Sequence, residues 1–445
     1  MPNKVKSSRT FGFRLWNIGG RAEPKHDGRR SVEGGLAKPK RGRRAVLGGL
    51  ALLLAGLIVF TLVSPRPVAL LIRAAFRKSP AVPPDGYAQV LSRITVVKDL
   101  SYPSAYPDNI VDLYLPAGEG ATKAIMPPLQ KDVVELPVGE GTFPLVLWIH
   151  GGAFVGGDKS DVQYYAAALA AEGYAVACMN YCRAPEEKYP APLVQTQEAL
   201  RWLAGIADSY ALDMERFVLA GDSAGAHVAA QFAAMQSNPA YATEMGFASA
   251  GGVAGTQTKD SAGVSAKAQF AATQSNTGNA NEMGFASGGN AVQTSFARVG
   301  NATESVFTPF DSLPMPCALL LFCGPYDVEK LAGGSGAMHF FLGRAAWAYF
   351  GTKDWAGEFA EQATISRHIT KDFPPAFLTD GNRLSFEDHA RELANALQNK
   401  GVLAETYFIP EGTEAKHEYQ FIMHTPEGEA SFARVVAFLG EVTGG

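Results

Sequence analysis

A serine framed by glycines, in the pentapeptide GDSAG (Gly221–Gly225), is the first candidate for chemistry in this chain of 445 residues. The apolar run before it and the alanine-rich segment after it predict a strand, a sharp turn and a helix. Such a turn needs small neighbours, and it sets the hydroxyl of Ser223 at a helix N-terminus, where a developing negative charge is stabilised. The pattern predicts that Ser223 is a nucleophile. The alternative is a turn of small residues with a structural role only.

A second glycine motif could stabilise the charge that attack by a serine creates. The apolar run FPLVLWIH is typical of a buried strand and ends at His150. Gly151 and Gly152 follow it directly. The backbone N–H groups of Gly151 and Gly152, together with that of Ala224, therefore predict an oxyanion hole. We expect His150 to hold this loop in place rather than to act as the base.

The general base is expected late in the chain, because a serine in this kind of turn is followed first by its acid and then by its histidine. His417 opens the segment HEYQF, in a predicted loop between the strand AETYFIP and the last predicted helix. His424 is the alternative base. His227 lies one turn into the helix after Ser223, where we expect it to pack against its neighbours.

The acid is expected directly after a strand, because it must hold the imidazole from a fixed position. Asp380 ends the predicted strand in FLTDGNRLSFEDHA, whereas Asp388 lies inside the helix that follows. Asp327, in CGPYD after the preceding strand, is the third candidate. We predict that Asp380 is the acid.

The remaining sequence supplies elements that could position these groups. From about residue 86 onward, short apolar runs such as YAVACMNY, RFVLAG and CALLLFCG alternate with segments of helical spacing. Strands that alternate with helices predict a mostly parallel sheet covered by helices on both faces. Apolar residues make up 47% of the chain, which is enough for a large core.

A duplicated segment interrupts this alternation. Residues 231–252 recur at 269–290 with 15 of 22 positions identical. One recurrence is too little for a solenoid, which needs at least three units. The tract at 251–308 is rich in small polar residues, so it cannot bury much apolar surface, and we interpret it as a low-complexity surface insertion.

The N-terminal part of the chain has the composition of a membrane anchor. Residues 1–44 carry 13 Lys and Arg against three acids, and the uncharged run AVLGGLALLLAGLIVFTLV (45–63) follows. Nineteen helical residues extend about 28 Å, enough to cross a hydrocarbon core. Because the basic residues come first, we predict a single-pass transmembrane signal-anchor with a cytoplasmic N-terminus and an extracytoplasmic body, joined by a linker (64–85). A cleaved signal peptide is the alternative.

Together, the motifs HGGAF, NYCRAPEEKYPAP, GDSAG and HEYQF resemble the α/β-hydrolase superfamily, and within it the esterases similar to hormone-sensitive lipase. The resemblance implies an α/β-hydrolase fold over 86–445, with a mostly parallel eight-stranded sheet of order 1-2-4-3-5-6-7-8, flanking helices and a cap segment at 329–371. It assigns these roles: nucleophile Ser223, acid Asp380, base His417, and oxyanion donors Gly151, Gly152 and Ala224.

Two features of the sequence bear on these expectations. The family usually carries a run similar to Gly-x-x-Asp where this chain has LTDGN, which leaves the position of the acid open by a residue. The implied strand order places Cys178 on the fourth strand, and Cys317 and Cys323 on or after the sixth. Two strands intervene, a separation of about 14 Å, so these thiols are too far apart for a disulfide. We expect free and mostly buried thiols.

The sequence therefore predicts a membrane-anchored serine hydrolase that cleaves carboxylic esters through an acyl-enzyme, with a Ser-Asp-His triad. An amidase or peptidase using the same triad is one alternative, and a catalytically silent binding protein is another. No metal-binding cluster or nucleotide-binding loop is recognisable, so we expect neither metal nor cofactor. The expected partners are a small-molecule ester and, through the anchor, membrane lipid, with no nucleic acid. The sequence leaves the oligomeric state and the acyl length open.

Overall fold

The computed structural model of the chain describes residues 41–76, 83–117, 142–247 and 313–444. The predicted low-complexity insertion, the second copy of the repeat, and the basic arm as far as residue 40 lie outside the described residues.

An eight-stranded sheet forms the centre of the molecule, in the order β1-β2-β4-β3-β5-β6-β7-β8. Strand β2 is antiparallel to both of its neighbours, and the other pairs are parallel. This confirms the predicted sheet and its strand order. The strands are β1 (Ile94–Ser101), β2 (Ile110–Pro116), β3 (Phe143–Ile149), β4 (Ala175–Met179), β5 (Leu212–Asp222), β6 (Ala318–Phe322), β7 (Ala376–Asp380) and β8 (Ala404–Phe408).

Helices precede the sheet, connect its strands and follow it. In chain order they are α1 (Arg41–Val63), α2 (Arg66–Phe76), α3 (Tyr87–Leu91), α4 (Gln163–Ala171), α5 (Ala191–Gly205), α6 (Ala207–Tyr210), α7 (Ala224–Ser237), α8 (Pro239–Glu244), α9 (Val328–Ala332), α10 (Gly336–Phe350), α11 (Glu358–Ala363), α12 (Glu387–Asn399) and α13 (Pro426–Thr443). The first copy of the repeat thus supplies the end of α7 and all of α8.

Strand β3 shows why its sequence is apolar throughout rather than alternating. Successive side chains of a strand point to opposite faces of the sheet. Leu145, Leu147 and Ile149 join the core cluster on one face, whereas Val146 and Trp148 join the cluster on the other, and all five are fully buried. Both faces are covered, as expected for a parallel sheet.

The predicted cap segment lies between β6 and β7 and contains α9, α10 and α11. These helices share a separate apolar cluster with helix α2, which belongs to the predicted linker and buries Ala69 completely in that cluster. Arg73 of α2 also donates hydrogen bonds to the carbonyl oxygens of Val155, at 2.6 Å, and Ala184, at 2.7 Å. Helix α2 is therefore part of the compact unit Ile58–Gly445.

The predicted transmembrane segment coincides with most of helix α1. Among the described residues, however, no single helix combines the length and hydropathy expected of a membrane span. Gly48–Val63 and Arg66–Phe76 meet those requirements only together, and the chain bends by 95° between them. The prediction of one continuous spanning helix is therefore not supported.

The four cysteines are free, and three of them, Cys178, Cys182 and Cys323, are buried. Cys178 lies on β4, and Cys323 follows the end of β6. This agrees with the expectation of separate thiols.

Candidate active site

The predicted site residues gather at one edge of the sheet. His150 follows β3, Ser223 follows β5, Asp380 ends β7, and His417 lies in the loop between β8 and α13. In open parallel sheets, binding sites form outside the carboxyl ends of the strands. The topology brings these four residues to that edge from distant parts of the chain.

Steric constraints dictate the turn that carries Ser223. Its φ of +50° is unusual for a residue other than glycine. A Cβ atom on Gly221 would overlap the backbone of Gly225, and one on Gly225 would overlap the carbonyl oxygen of Ile149. Only glycine fits at both positions, and the resulting turn places Ser223 immediately before helix α7.

His417 contacts the predicted nucleophile. Its Nε2 atom lies 2.9 Å from Oγ of Ser223, and its Nδ1 atom lies 2.7 Å from Oγ of Ser385. The ring of Phe386 packs edge-on against the imidazole, with centroids 5.5 Å apart. Burial lowers the pKa of His417 to about 4, so the imidazole is neutral at pH 7 and can accept a proton.

Asp380 is fully buried and reaches His417 through Ser385. The hydroxyl of Ser385 donates to Oδ1 of Asp380, and among the described residues no hydrogen bond joins Asp380 to His417 directly. Burial raises the pKa of Asp380 to about 7, although the hydroxyl of Ser385, the thiol of Cys323 and nearby backbone N–H groups lower it.

The alternative acids and the alternative base lie elsewhere. Asp388 forms an ion pair with Lys330, with an N–O distance of 2.9 Å. Asp327 caps helix α9 by accepting a hydrogen bond from the backbone N–H of Lys330. His424 is exposed. The described contacts connect none of these three residues with Ser223.

The predicted oxyanion donors differ in availability. The N–H of Gly151 donates to Oδ2 of Asp222 at 2.8 Å, so in this arrangement it is not free to bind an oxyanion. Gly152 has a φ of +118°, and Ala224 opens helix α7. Gly152 and Ala224 therefore remain the predicted donors, and Gly151 contributes by fixing the loop.

His150 has the structural role that we expected. Its Nδ1 atom lies 2.6 Å from the carbonyl oxygen of Gly151, and its ring stacks on Tyr181 with centroids 4.5 Å apart. Burial lowers the pKa of His150 to about 4. His227 is likewise buried, and its Nδ1 atom lies 3.0 Å from the carbonyl oxygen of Pro325.

A pair of carboxyl groups lies beside the loop of Gly151. Asp222 accepts a hydrogen bond from Nε1 of Trp148 at 2.8 Å, and Oε1 of Glu418 lies 3.6 Å from Nε2 of His417. Burial, followed by the neighbouring Glu418, raises the pKa of Asp222 well above its usual value. Burial raises the pKa of Glu418 to about 7, although a hydrogen bond with Asp222 lowers it. The pair can therefore share one proton and hold a single negative charge.

Among the described residues, one group could supply several metal ligands. Single ligand atoms of Cys323, Asp380 and His417 lie within 4.8 Å of one another. The sulfur of Cys323 accepts hydrogen bonds from the backbone N–H of Glu418 and from Nε2 of Gln420, each at 3.3 Å. These side chains are already engaged in the hydrogen bonds of the site.

An apolar cleft opens beside Ser223. Phe154, from the HGGAF motif, lines one side of it and stacks on Tyr349 with centroids 4.0 Å apart. Val328 and four side chains of the predicted cap also line the cleft: Leu331, Leu342, Ala346 and Phe350. An apolar group bound in this cleft would lie against the candidate nucleophile.

The chain is similar in sequence and in fold to known proteins. The BD-FAE family model matches residues 132–282. Esterase LipI of Mycobacterium tuberculosis is 36% identical over 154 residues, which cover 34% of this chain and 45% of LipI. The crystal structure of esterase B from Lactobacillus Rhamnosis has a TM-score of 0.54 at 19% identity and covers 91% of this chain and 97% of that one. The described residues therefore have an α/β-hydrolase fold.

The sequence matches between this chain and its curated relatives are partial, since they span less than half of each relative's length. One relative carries the name of a receptor rather than an enzyme. The gibberellin receptor GID1 of Oryza sativa is 30% identical over 128 residues, which cover 27% of this chain and 36% of GID1.

Three residues of the candidate site were not predicted from the sequence. Glu418 directly follows the predicted base, and Asp222 directly precedes the nucleophile, so their positions were visible but their pairing was not. Ser385 lies in a loop after a strand, as catalytic side chains often do. A hydroxyl five residues beyond Asp380 has no recognisable motif of its own.

Proposed function

We propose that this protein hydrolyses carboxylic esters, with Ser223 as nucleophile, His417 as general base and Asp380 as acid. The distance of 2.9 Å between Oγ of Ser223 and Nε2 of His417 carries this proposal. It is within reach for proton transfer, and burial keeps the imidazole neutral.

The proposed reaction proceeds through an acyl-enzyme. Oγ of Ser223 attacks the ester carbonyl carbon while its proton passes to His417, and the N–H groups of Gly152 and Ala224 stabilise the oxyanion. His417 then protonates the departing alcohol. Water, deprotonated by the same imidazole, releases the carboxylic acid and restores Ser223.

The first test is hydrolysis of p-nitrophenyl acetate, butyrate and octanoate by the full chain in detergent, beside Ser223→Ala. We expect kcat/KM of the variant to fall by at least about 10⁴-fold, because the nucleophile is lost. Ser237→Ala is the matched control, since it removes a buried hydroxyl from the far end of the same helix and should leave the rate unchanged. Equal rates for wild type and Ser223→Ala would contradict the proposal.

The same substrates test the alternatives. The triad does not itself distinguish esters from amides, so an ester should be compared with its isosteric amide. Covalent labelling of Ser223 by a fluorophosphonate, without turnover of any ester, would favour an amide substrate. A chain that is neither labelled nor active would favour a binding protein, the class suggested by the name of the receptor relative.

We also propose that helix α1 anchors the protein in a membrane, with the N-terminus cytoplasmic and the hydrolase unit on the other side. Apolar side chains of α1 are exposed, among them Leu52 at 76% and Leu53 at 73%. The uncharged run follows the basic segment Arg41–Arg44, as in an anchor of this orientation.

Flotation of the full chain with lipid vesicles tests this anchor. We expect Leu53→Lys to reduce the membrane-bound fraction, because a lysine at the centre of a span costs about 3 kcal/mol. Leu403→Lys, at an exposed leucine before β8, is the control and should float like wild type. Equal flotation of both variants would contradict the anchor. Digestion of the hydrolase unit by protease outside intact cells would support the proposed orientation.

A further inference from the structure

Ser385 occupies the position between acid and base. Its Oγ atom contacts Oδ1 of Asp380 and lies 2.7 Å from Nδ1 of His417, whose Nε2 atom lies 2.9 Å from Oγ of Ser223. Four side chains thus form one continuous chain of hydrogen bonds. In the usual triad, the carboxylate accepts the imidazole N–H directly.

The number of available protons fixes the direction of this chain. An ionised Asp380 can only accept, so the single proton of Ser385 must point towards it. Oγ of Ser385 then accepts from Nδ1 of His417, which must carry a hydrogen. The Nε2 atom is left with a lone pair that faces the hydroxyl of Ser223. This is the tautomer that a general base requires.

Backbone contacts hold Ser385 in this position. The loop after β7 pairs with the loop that carries the histidine, and the N–H of Arg383 donates to the carbonyl oxygen of Ala415 at 3.0 Å. The side chain of Asn382 donates to the carbonyl oxygen of Thr413 at 2.7 Å. The two loops are joined at residues that come shortly before Ser385 and His417, so the backbone brings the hydroxyl and the imidazole close together.

We propose that Ser385 is a positioning residue, through which Asp380 sets the tautomer and orientation of His417. The inference rests on the proposed ester hydrolysis and deepens it. When Ser223 attacks, its proton moves to Nε2, while the hydrogen on Nδ1 stays in place and is still donated to Ser385. Asp380 remains ionised and stabilises the imidazolium through the hydroxyl, so no proton leaves the chain.

Ser385→Ala tests this role by removing the link. We expect kcat to fall on the order of 10²-fold with KM within about twofold of wild type, because orientation of the base affects the chemical step and not binding. Ser385→Thr keeps the hydroxyl and should recover most of the rate. Ser237→Ala, which also removes a buried hydroxyl, controls for a general loss of stability.

The combination with Asp380→Asn separates a relay from independent contributions. An amide at position 380 can donate to Ser385, which would reverse the chain and place the wrong tautomer before Ser223. If Asp380 acts through Ser385, the loss caused by Asp380→Asn should be several-fold smaller in the Ser385→Ala background than in wild type.

Two results would overturn the relay while leaving the proposed function intact. One is an active enzyme in which Ser385→Ala matches wild type in kcat. The other is a double variant in which the two losses multiply. A wild type that neither hydrolyses esters nor reacts with a fluorophosphonate would instead overturn the proposed function, and the relay with it.

Discussion

The turn after β5 and the loop after β7 both deliver a predicted site residue to the same edge of the sheet, but they do so by different means. At Ser223 the backbone is confined, because Gly221 and Gly225 occupy positions where any Cβ would overlap main-chain atoms. At Asp380 the connection to the imidazole is made by one side-chain hydroxyl, that of Ser385. A steric requirement restricts the sequence to glycine and leaves a motif. A hydrogen bond can be made by several residue types at several distances, so it leaves no motif.

Gly225→Ala is the strongest test of the steric confinement at Ser223. The added methyl would overlap the carbonyl oxygen of Ile149, so helix α7 must move away from β3. We expect the free energy of unfolding to fall by about 3 kcal/mol and ester hydrolysis to be nearly abolished. Urea unfolding followed by circular dichroism measures the first effect.

Gly205→Ala provides the control, because a Cβ at that helix end would meet no atom within 4 Å. If Gly225→Ala were as stable and active as Gly205→Ala, the turn that carries Ser223 would not be sterically confined.

Gly381→Ala tests whether the loop after β7 also contains a sterically confined position. A Cβ there would overlap the carbonyl oxygen of Lys416, next to the base. We expect a smaller loss of stability, about 1–2 kcal/mol, but a fall in kcat of about 10²-fold, because the two paired loops must separate and misplace His417. Parallel kinetics and unfolding curves would show this imbalance.

Gly440→Ala, in helix α13, is the matched substitution in open space and should change neither quantity by much. A kcat for Gly381→Ala near that of wild type would mean that the loops tolerate separation.

The pH dependence of kcat/KM tests the hydrogen-bonded connection from Asp380 through Ser385 to His417. The relay requires an ionised Asp380, whose pKa burial raises to about 7, and a neutral His417, whose pKa burial lowers to about 4. Activity should therefore be full above about pH 7 and fall roughly tenfold per unit below it. The assay follows the ester from pH 5 to pH 9.

Glu418 also has a pKa raised to about 7 and lies near the same imidazole, so it is the competing source of such a break. Glu418→Gln should keep the break, and Asp380→Asn should remove it. The opposite result would assign the titration to the carboxyl pair of Glu418 and Asp222.

The sequence was sufficient for the sheet, its strand order and the approach of His417 to Ser223, since apolar runs and glycine motifs reflect burial and close packing. The sequence was less informative where a polar group has several possible hydrogen-bond partners. The motif His-Gly-Gly predicted two oxyanion donors, but the N–H of Gly151 donates to Asp222, a residue 71 positions away. Composition likewise suggested one spanning helix, but not the 95° bend that follows α1. Long-range pairing and chain direction arise from tertiary packing, which local pattern does not encode.

The packing of helix α2 determines at which residue a recombinant chain without helix α1 should begin. A Cβ on Gly156 would be 2.9 Å from the ring of Phe76, and Arg73 forms an ion pair with Glu186 at 2.5 Å, so α2 packs against the loop that follows Gly151 and Gly152. A chain that begins at residue 86, where the globular pattern begins, would lack helix α2, and the apolar cluster of the cap would be exposed. A chain that begins at residue 64 would lack the exposed apolar helix α1 but keep helix α2.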